Sequence, residues 1–284
     1  MRKMKFLFAA CMLSVAMLVG CGDKDSKVDS SITPEELLEN IKDADTDIKS
    51  LEFEIGGDIN ATNAGTELAL DAKINGKADI EKNLYNFTAE ANMDGTSVTV
   101  DCYIAVDDTK VGLYAQFNGT WIKYEADVAE LADEYLDNVD LGAATDAASE
   151  VKVEEILKLL KDTKVDVSDD TYTLSGKLNM EKIFEEAGDE AEQYSYLKDL
   201  DATLSVKVNN DYSLNKVEIK IGKVVIPGED GDVTLNSVTL YASADKYNEA
   251  MDIKIPDEAL NGMDAEELLQ SMFGGNDALT VPQE

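Results

Sequence analysis

Apolar residues recur at every second position through long stretches of this chain, and at helical spacing in shorter stretches between them. Leu51, Phe53 and Ile55 form one such set, and Leu68, Leu70, Ala72 and Ile74 a second. Tyr85, Phe87, Ala89, Ala91 and Met93 follow, then Val98, Val100, Cys102, Ile104 and Val106, then Val111, Leu113, Ala115 and Phe117. Alternation of this kind predicts antiparallel strands with one covered and one solvated face. The junctions carry turn chemistry: Asn63-Ala64-Gly65, Met93-Asp94-Gly95, Asp107-Asp108 and Asn118-Gly119.

Helical periodicity brackets these strands. Thr33-Pro34-Glu35-Glu36 combines a cap residue, a proline at the first helical position and a glutamate able to close a capping box, ahead of Leu37, Leu38 and Ile41. Val128, Leu131, Ala132, Tyr135 and Val139 fall at helical spacing, as do Val153, Ile156, Leu157 and Leu160, with a Gly/Ala/Thr-rich loop over 141–149 between them. A strand pair is expected around Lys164 to Leu178. Met180, Ile183, Phe184, Ala187 and Ala191 then mark a helix interrupted near Gly188. Strand patterns return at Leu200 to Val208, Val217 to Ile221 and Val233 to Leu240, the last with a slip at Asn236 that predicts a bulge. Met251, Ile253 and Ile255 predict a final strand stopped by Pro256, and Asp264 caps a short terminal helix.

Helix, meandering strands, helices, strands and a last helix together predict an α+β fold. The expected architecture is one strongly curved antiparallel sheet, an unclosed half-barrel, with helices on its concave side. Two similar halves, each a small sheet with its helix, are the alternative. The expected divisions are a signal over 1–20, a flexible tether over 21–32, a single α+β domain over 33–273 and a flexible tail over 274–284.

The N-terminus has a different character. Basic Met1-Arg2-Lys3-Met4-Lys5 precedes the apolar run Phe6 to Val19, which ends at Leu18-Val19-Gly20-Cys21. These four residues resemble the lipobox of bacterial lipoproteins. That resemblance implies cleavage between Gly20 and Cys21, acylation of Cys21, and a protein held on the extracytoplasmic face of the cell membrane. Residues 22–31 are polar, and the stretch from Cys21 to Thr33 would then be a tether of about 40 Å at full stretch. Further on, no segment has the roughly 18 continuous apolar residues of a membrane-spanning helix.

Charge and chemistry narrow the functions available. The 284-residue chain has a net charge of −34, and loss of Arg2, Lys3 and Lys5 with the signal leaves the remainder more acidic still. Nucleic acid is thereby excluded as a partner, because no basic footprint exists. With no histidine, Ser-His-Asp and Cys-His catalysis and His-bearing metal sites are absent. Of the three cysteines, Cys11 leaves with the signal, Cys21 is the lipidation site, and Cys102 sits on an apolar strand face as an expected buried residue. Asp43, Asp45, Asp47 and Glu54 match four positions of a calcium loop, but Ile48 replaces its glycine and a strand follows. No catalytic residue, metal or cofactor is therefore assigned.

Four features together resemble the half-barrel lipoprotein carriers and the mycobacterial lipid-carrier lipoproteins: the lipobox, the capped first helix, the segment Asn118 to Tyr124 leading into helices, and the ending Met251-Asp252-Ile253-Lys254-Ile255-Pro256-Asp257. The resemblance implies an apolar concavity, lidded by helices, that holds acyl chains. Trp121, Tyr124, Leu131, Tyr135, Ile156, Leu160, Ile183 and Phe184 are the residues expected to line it or its lid. For Trp121, packing at the seam between sheet and helix is the competing role. The expected function is non-enzymatic binding of an amphiphilic ligand by a membrane-anchored monomer. The alternative is an envelope interaction module whose acidic surface engages a basic protein or a cationic wall polymer.

Overall fold

The structure, a computed structural model, describes residues 30–44, 47–128, 153–168, 170–228 and 231–268. Its first helix, α1 (Pro34–Asp43), begins with the predicted capping box: Thr33 Oγ1 accepts from Glu36 N–H, and the Glu36 carboxylate accepts from Thr33 N–H. Leu37, Leu38 and Ile41 are its buried stripe.

Six strands then form a meander: β1 (Ser50–Asn63), β2 (Thr66–Asp79), β3 (Leu84–Met93), β4 (Thr96–Val106), β5 (Lys110–Phe117) and β6 (Thr120–Asp127). Three of their hairpins close through residue pairs with left-handed φ: Ala64 and Gly65, Asp94 and Gly95, Asn118 and Gly119. That geometry matches the right-handed twist of the flanking strands.

The C-terminal half begins with α2 (Val153–Lys158), β7 (Leu160–Ser168), β8 (Thr171–Leu178) and α3 (Met180–Ala187). Gly188, at φ 60°, ends α3 where the interruption was predicted, and a 3-10 segment Gly188–Leu197 follows. Next come β9 (Ala202–Asn209), β10 (Leu214–Ile221), β11 (Val224–Ile226), β12 (Val233–Asp245), α4 (Asp257–Leu260) and β13 (Met263–Asp264).

All thirteen described strands belong to one sheet, in the order β13-β6-β5-β4-β3-β2-β1-β12-β10-β9-β8-β7, with β11 on β12. Its two end strands do not pair, so the curved sheet stays unclosed. The expected α+β half-barrel with helices on the concave side is what forms, as one sheet in place of two. β1 and β12 join the halves over twelve register pairs, and the bulge predicted at Asn236 falls between Asn60 and Ala61. A side chain on Gly76 would collide with the Asn86 carbonyl and with Phe87, so β2 and β3 approach there only with glycine.

Two expectations fail locally. Leu160 continues the helical spacing of Val153, Ile156 and Leu157, yet α2 stops at Lys158 and Leu160 opens β7, paired with Leu178. Residues 251–255 form no strand, although Ile253 is buried as the alternation required. The inner strands already have two neighbours each, which leaves that segment no free ladder to join. Beyond β13, Asp264 Oδ1 accepts from Glu266 and Glu267 N–H, the predicted cap of a helical turn at 265–268.

Candidate functional site: an open apolar face

One row of cross-strand neighbours traverses the sheet. Val165, Leu174, Val206, Val217, Ala242, Ile55, Ile74, Ala89, Val100 and Phe117 are successive partners from β7 to β5. Every one is apolar, and all lie on the concave face.

Cover changes abruptly along that row. Leu174, Val206 and Val217 are buried in a core with Leu37, Leu38 and Ile41 of α1 and Val153 of α2. Past β12 the row emerges: Ile55 is 52% exposed, and Ile74 and Phe117 are exposed as well. Leu68, Leu70, Met93, Val98, Leu113 and Tyr124 are also exposed, and their register places them on the same face. Isolated surface hydrophobics are ordinary, whereas a contiguous apolar patch of this extent is not.

Chemically the face is uniform. The positions that point this way are odd in β1, β3 and β5 and even in β2, β4 and β6, and none holds an Asp, Glu, Lys or Arg. Gly57, Ala72, Ala89, Ala91 and Ala115 keep its centre shallow-walled. Such a face can hold hydrocarbon.

The opposite face carries the charge, and part of it is held in lysine–carboxylate pairs. Lys246 and Lys77 contact Glu52 at 2.8 and 3.5 Å, and Lys73 contacts Glu90 at 3.2 Å. Glu218 lies between Lys216 at 2.8 Å and Lys220 at 2.7 Å, and their hydrogen bonds hold its carboxyl below the usual range. Because the folded value is lowered, the resulting stability is fully present above the unfolded value of 4.5 and lost as pH falls through the folded one. The difference in Tm between the wild type and Glu218→Gln is therefore expected to stay constant from neutral pH down to 4.5 and to narrow below it. A difference that persists unchanged in stronger acid would show that these pairs contribute no stability.

The residues expected to line the site are scattered. Ile156 and Leu160 border a void of about 20 Å³ in the α1–α2 core, room for one water and no ligand. Ile183 and Phe184 pack in a second cluster with Met180, Leu200, Ala202 and Val224. Trp121 and Tyr124 stand on opposite sides of β6: Tyr124 is on the open face, whereas Trp121 meets Tyr103 on the polar side, ring centroids 6.0 Å apart. Gly20, Cys21, Leu131 and Tyr135 lie outside the described residues. Ile55, Leu70, Ile74, Met93 and Phe117 instead supply the open surface, and their common register, free of charge, was the signal for it.

Cys102 is buried on the same face, where burial and the neighbouring Asp101 charge push its thiol up and away from reactivity. Among the described residues, no group of three or more carboxylate or thiol side chains is placed to hold a metal ion.

A β-barrel-like protein of the domain of unknown function DUF1849 from Brucella abortus is 7% identical, with a TM-score of 0.25, over 70% of this chain and 100% of that one. Comparison with curated proteins finds no match. A family model matches residues 33–264, from the Thr33 cap of α1 to the last residue of β13, and thus takes in both the packed and the open halves of the sheet. The chain belongs to this family, the family of unknown function DUF6612.

Proposed function

We propose that this protein is a non-enzymatic lipoprotein, anchored through Cys21 on the extracytoplasmic face of the cell membrane, that holds an amphiphilic ligand against the open face of β1–β6. The observation that carries the reading is the loss of cover along one continuous apolar row, from buried Val217 to half-exposed Ile55 two strands away. Six strands about 4.8 Å apart make a face about 24 Å wide, enough for an acyl chain to lie across it. At about 0.8 kcal/mol per buried methylene, a dozen methylenes supply about 10 kcal/mol before the costs of association. The half-barrel carriers that the sequence resembles use a concavity of this kind, and that resemblance supports the same role here.

The acidic-module alternative draws less support. On the polar face Glu52, Glu90 and Glu218 have lysine partners, and among the described residues no group of three or more carboxylates is gathered into one cation-holding site, whereas the apolar row is continuous. Organic extraction and mass spectrometry of the purified full chain test the proposal. One class of amphiphile, released without cleavage of the Cys21 adduct, is the expected finding. A protein that carries no amphiphile and takes up no fluorescent fatty acid would refute it.

A further inference from the structure

The open face is graded along its strands. At the end formed by the β2–β3 and β4–β5 turns it is covered: Ala78 and Cys102 are buried, and Leu51, Tyr85 and Ile104 are half-buried. At the other end stand the β1–β2, β3–β4 and β5–β6 hairpins, and there exposure peaks, with Met93 at 62% and Leu68, Val98 and Phe117 also exposed. Met93 and Phe117 immediately precede the tight turns Asp94-Gly95 and Asn118-Gly119, so their side chains sit at the tips.

Charge follows the same gradient. The covered end carries Glu81, Lys82, Asp107, Asp108 and Lys110. The three tips, 63–66, 94–96 and 118–120, hold one charged residue, Asp94, whose carboxylate accepts the Ala69 N–H at 3.1 Å. In a chain of net charge −34, three adjacent tips with a single charge and protruding Met and Phe side chains form a local exception. Exposed apolar groups beside uncharged polar turns suit the interface of a bilayer. The acidity of the remainder opposes an anionic surface.

From this we infer that the three hairpin tips dock onto a lipid bilayer surface of zwitterionic or uncharged headgroups, and that the trough opens there so that an amphiphile passes between membrane and sheet. The inference rests on the amphiphile-binding reading for what passes; the docking stands on the tips themselves. Anionic lipid mixed into the bilayer weakens it.

A fluorescent reporter placed at a tip tests it in the full chain. Phe117→Trp combined with Trp121→Phe moves the chain's one tryptophan to the β5–β6 tip, and Asp108→Trp with Trp121→Phe puts it at the covered end. Positions 117 and 108 are exposed, and both variants share the Trp121→Phe change at the half-buried ring beside Tyr103, so they differ only in where the reporter stands. With vesicles of brominated phosphatidylcholine, the tip reporter is expected to lose about half its emission and the other reporter almost none. Equal quenching at both positions, or none at the tip, overturns the docking. So does quenching that stays in the supernatant after the vesicles are sedimented, since that is extraction without docking. Quenching of the tip by monomeric brominated fatty acid but not by vesicles also overturns it while leaving the amphiphile reading intact. The reverse pattern keeps the docking and removes that reading.

Discussion

Leu37→Ala is expected to lower the stability of the fold by about 2–5 kcal/mol, read as a fall in the denaturant midpoint with an unchanged slope. Leu37 is 0% exposed and belongs to the cluster in which α1 and α2 cover β8, β9 and β10. Truncating its isobutyl group to a methyl leaves a cavity that close-packed neighbours cannot fill, and the lost transfer energy adds to the lost contacts. The same truncation on the open face has a different consequence. Ile55 sits in the cross-strand row that Leu37 helps to cover at Leu174, Val206 and Val217, but is itself 52% exposed, so Ile55→Ala removes little that folding had buried and is expected to cost about 0.5 kcal/mol or less. Similar losses at both positions would mean that the face over β1–β6 is covered in solution and would count against ligand binding there. The pair of variants therefore reports on stability and on function together.

Strand existence and facing were legible because period-two alternation is a local property. Val98, Val100, Cys102, Ile104 and Val106 announce one face of β4 wherever that strand lies. The turns were equally local, since Ala64-Gly65, Asp94-Gly95 and Asn118-Gly119 adopt the left-handed pairs that tight hairpins need. What covers a face is a tertiary property, and there the reading from sequence went astray. Ile156 and Leu160 are as apolar as Ile74, yet the former pair line a filled core and the latter lies open. Trp121 and Tyr124 were grouped because they are close in sequence, although an odd separation along a strand puts them on opposite sides. Leu160 was assigned to a helix because its spacing fits one, and only its pairing with Leu178 reveals a strand. The missing clue was negative: no charged residue occurs on the β1–β6 concave face, a pattern visible only once the register has joined six strands.

Ile74→Asp is expected to abolish amphiphile binding while leaving the fold intact. Ile74 lies near the middle of the open face, opposite Ile55 on one side and Ala89 on the other. In the free protein it is exposed, so a carboxylate there stays hydrated and the stability change should be within about 1 kcal/mol. Once an acyl chain covers the position, that hydration is lost with no cation on the face to replace it, because the lysines of β2, Lys73 and Lys77, point to the other side. Burial of an unpaired carboxylate costs several kcal/mol, so the affinity for a fluorescent fatty acid should fall by about 100-fold or more. Asn75→Asp adds the same charge one residue away on the polar face and is the matched control, expected to leave binding within about twofold. Equal losses in both variants would assign the effect to net charge, and no loss in either would place the ligand elsewhere. Only a loss confined to Ile74→Asp is consistent with hydrocarbon lying on this face, because the two substitutions differ in which side of one strand they charge.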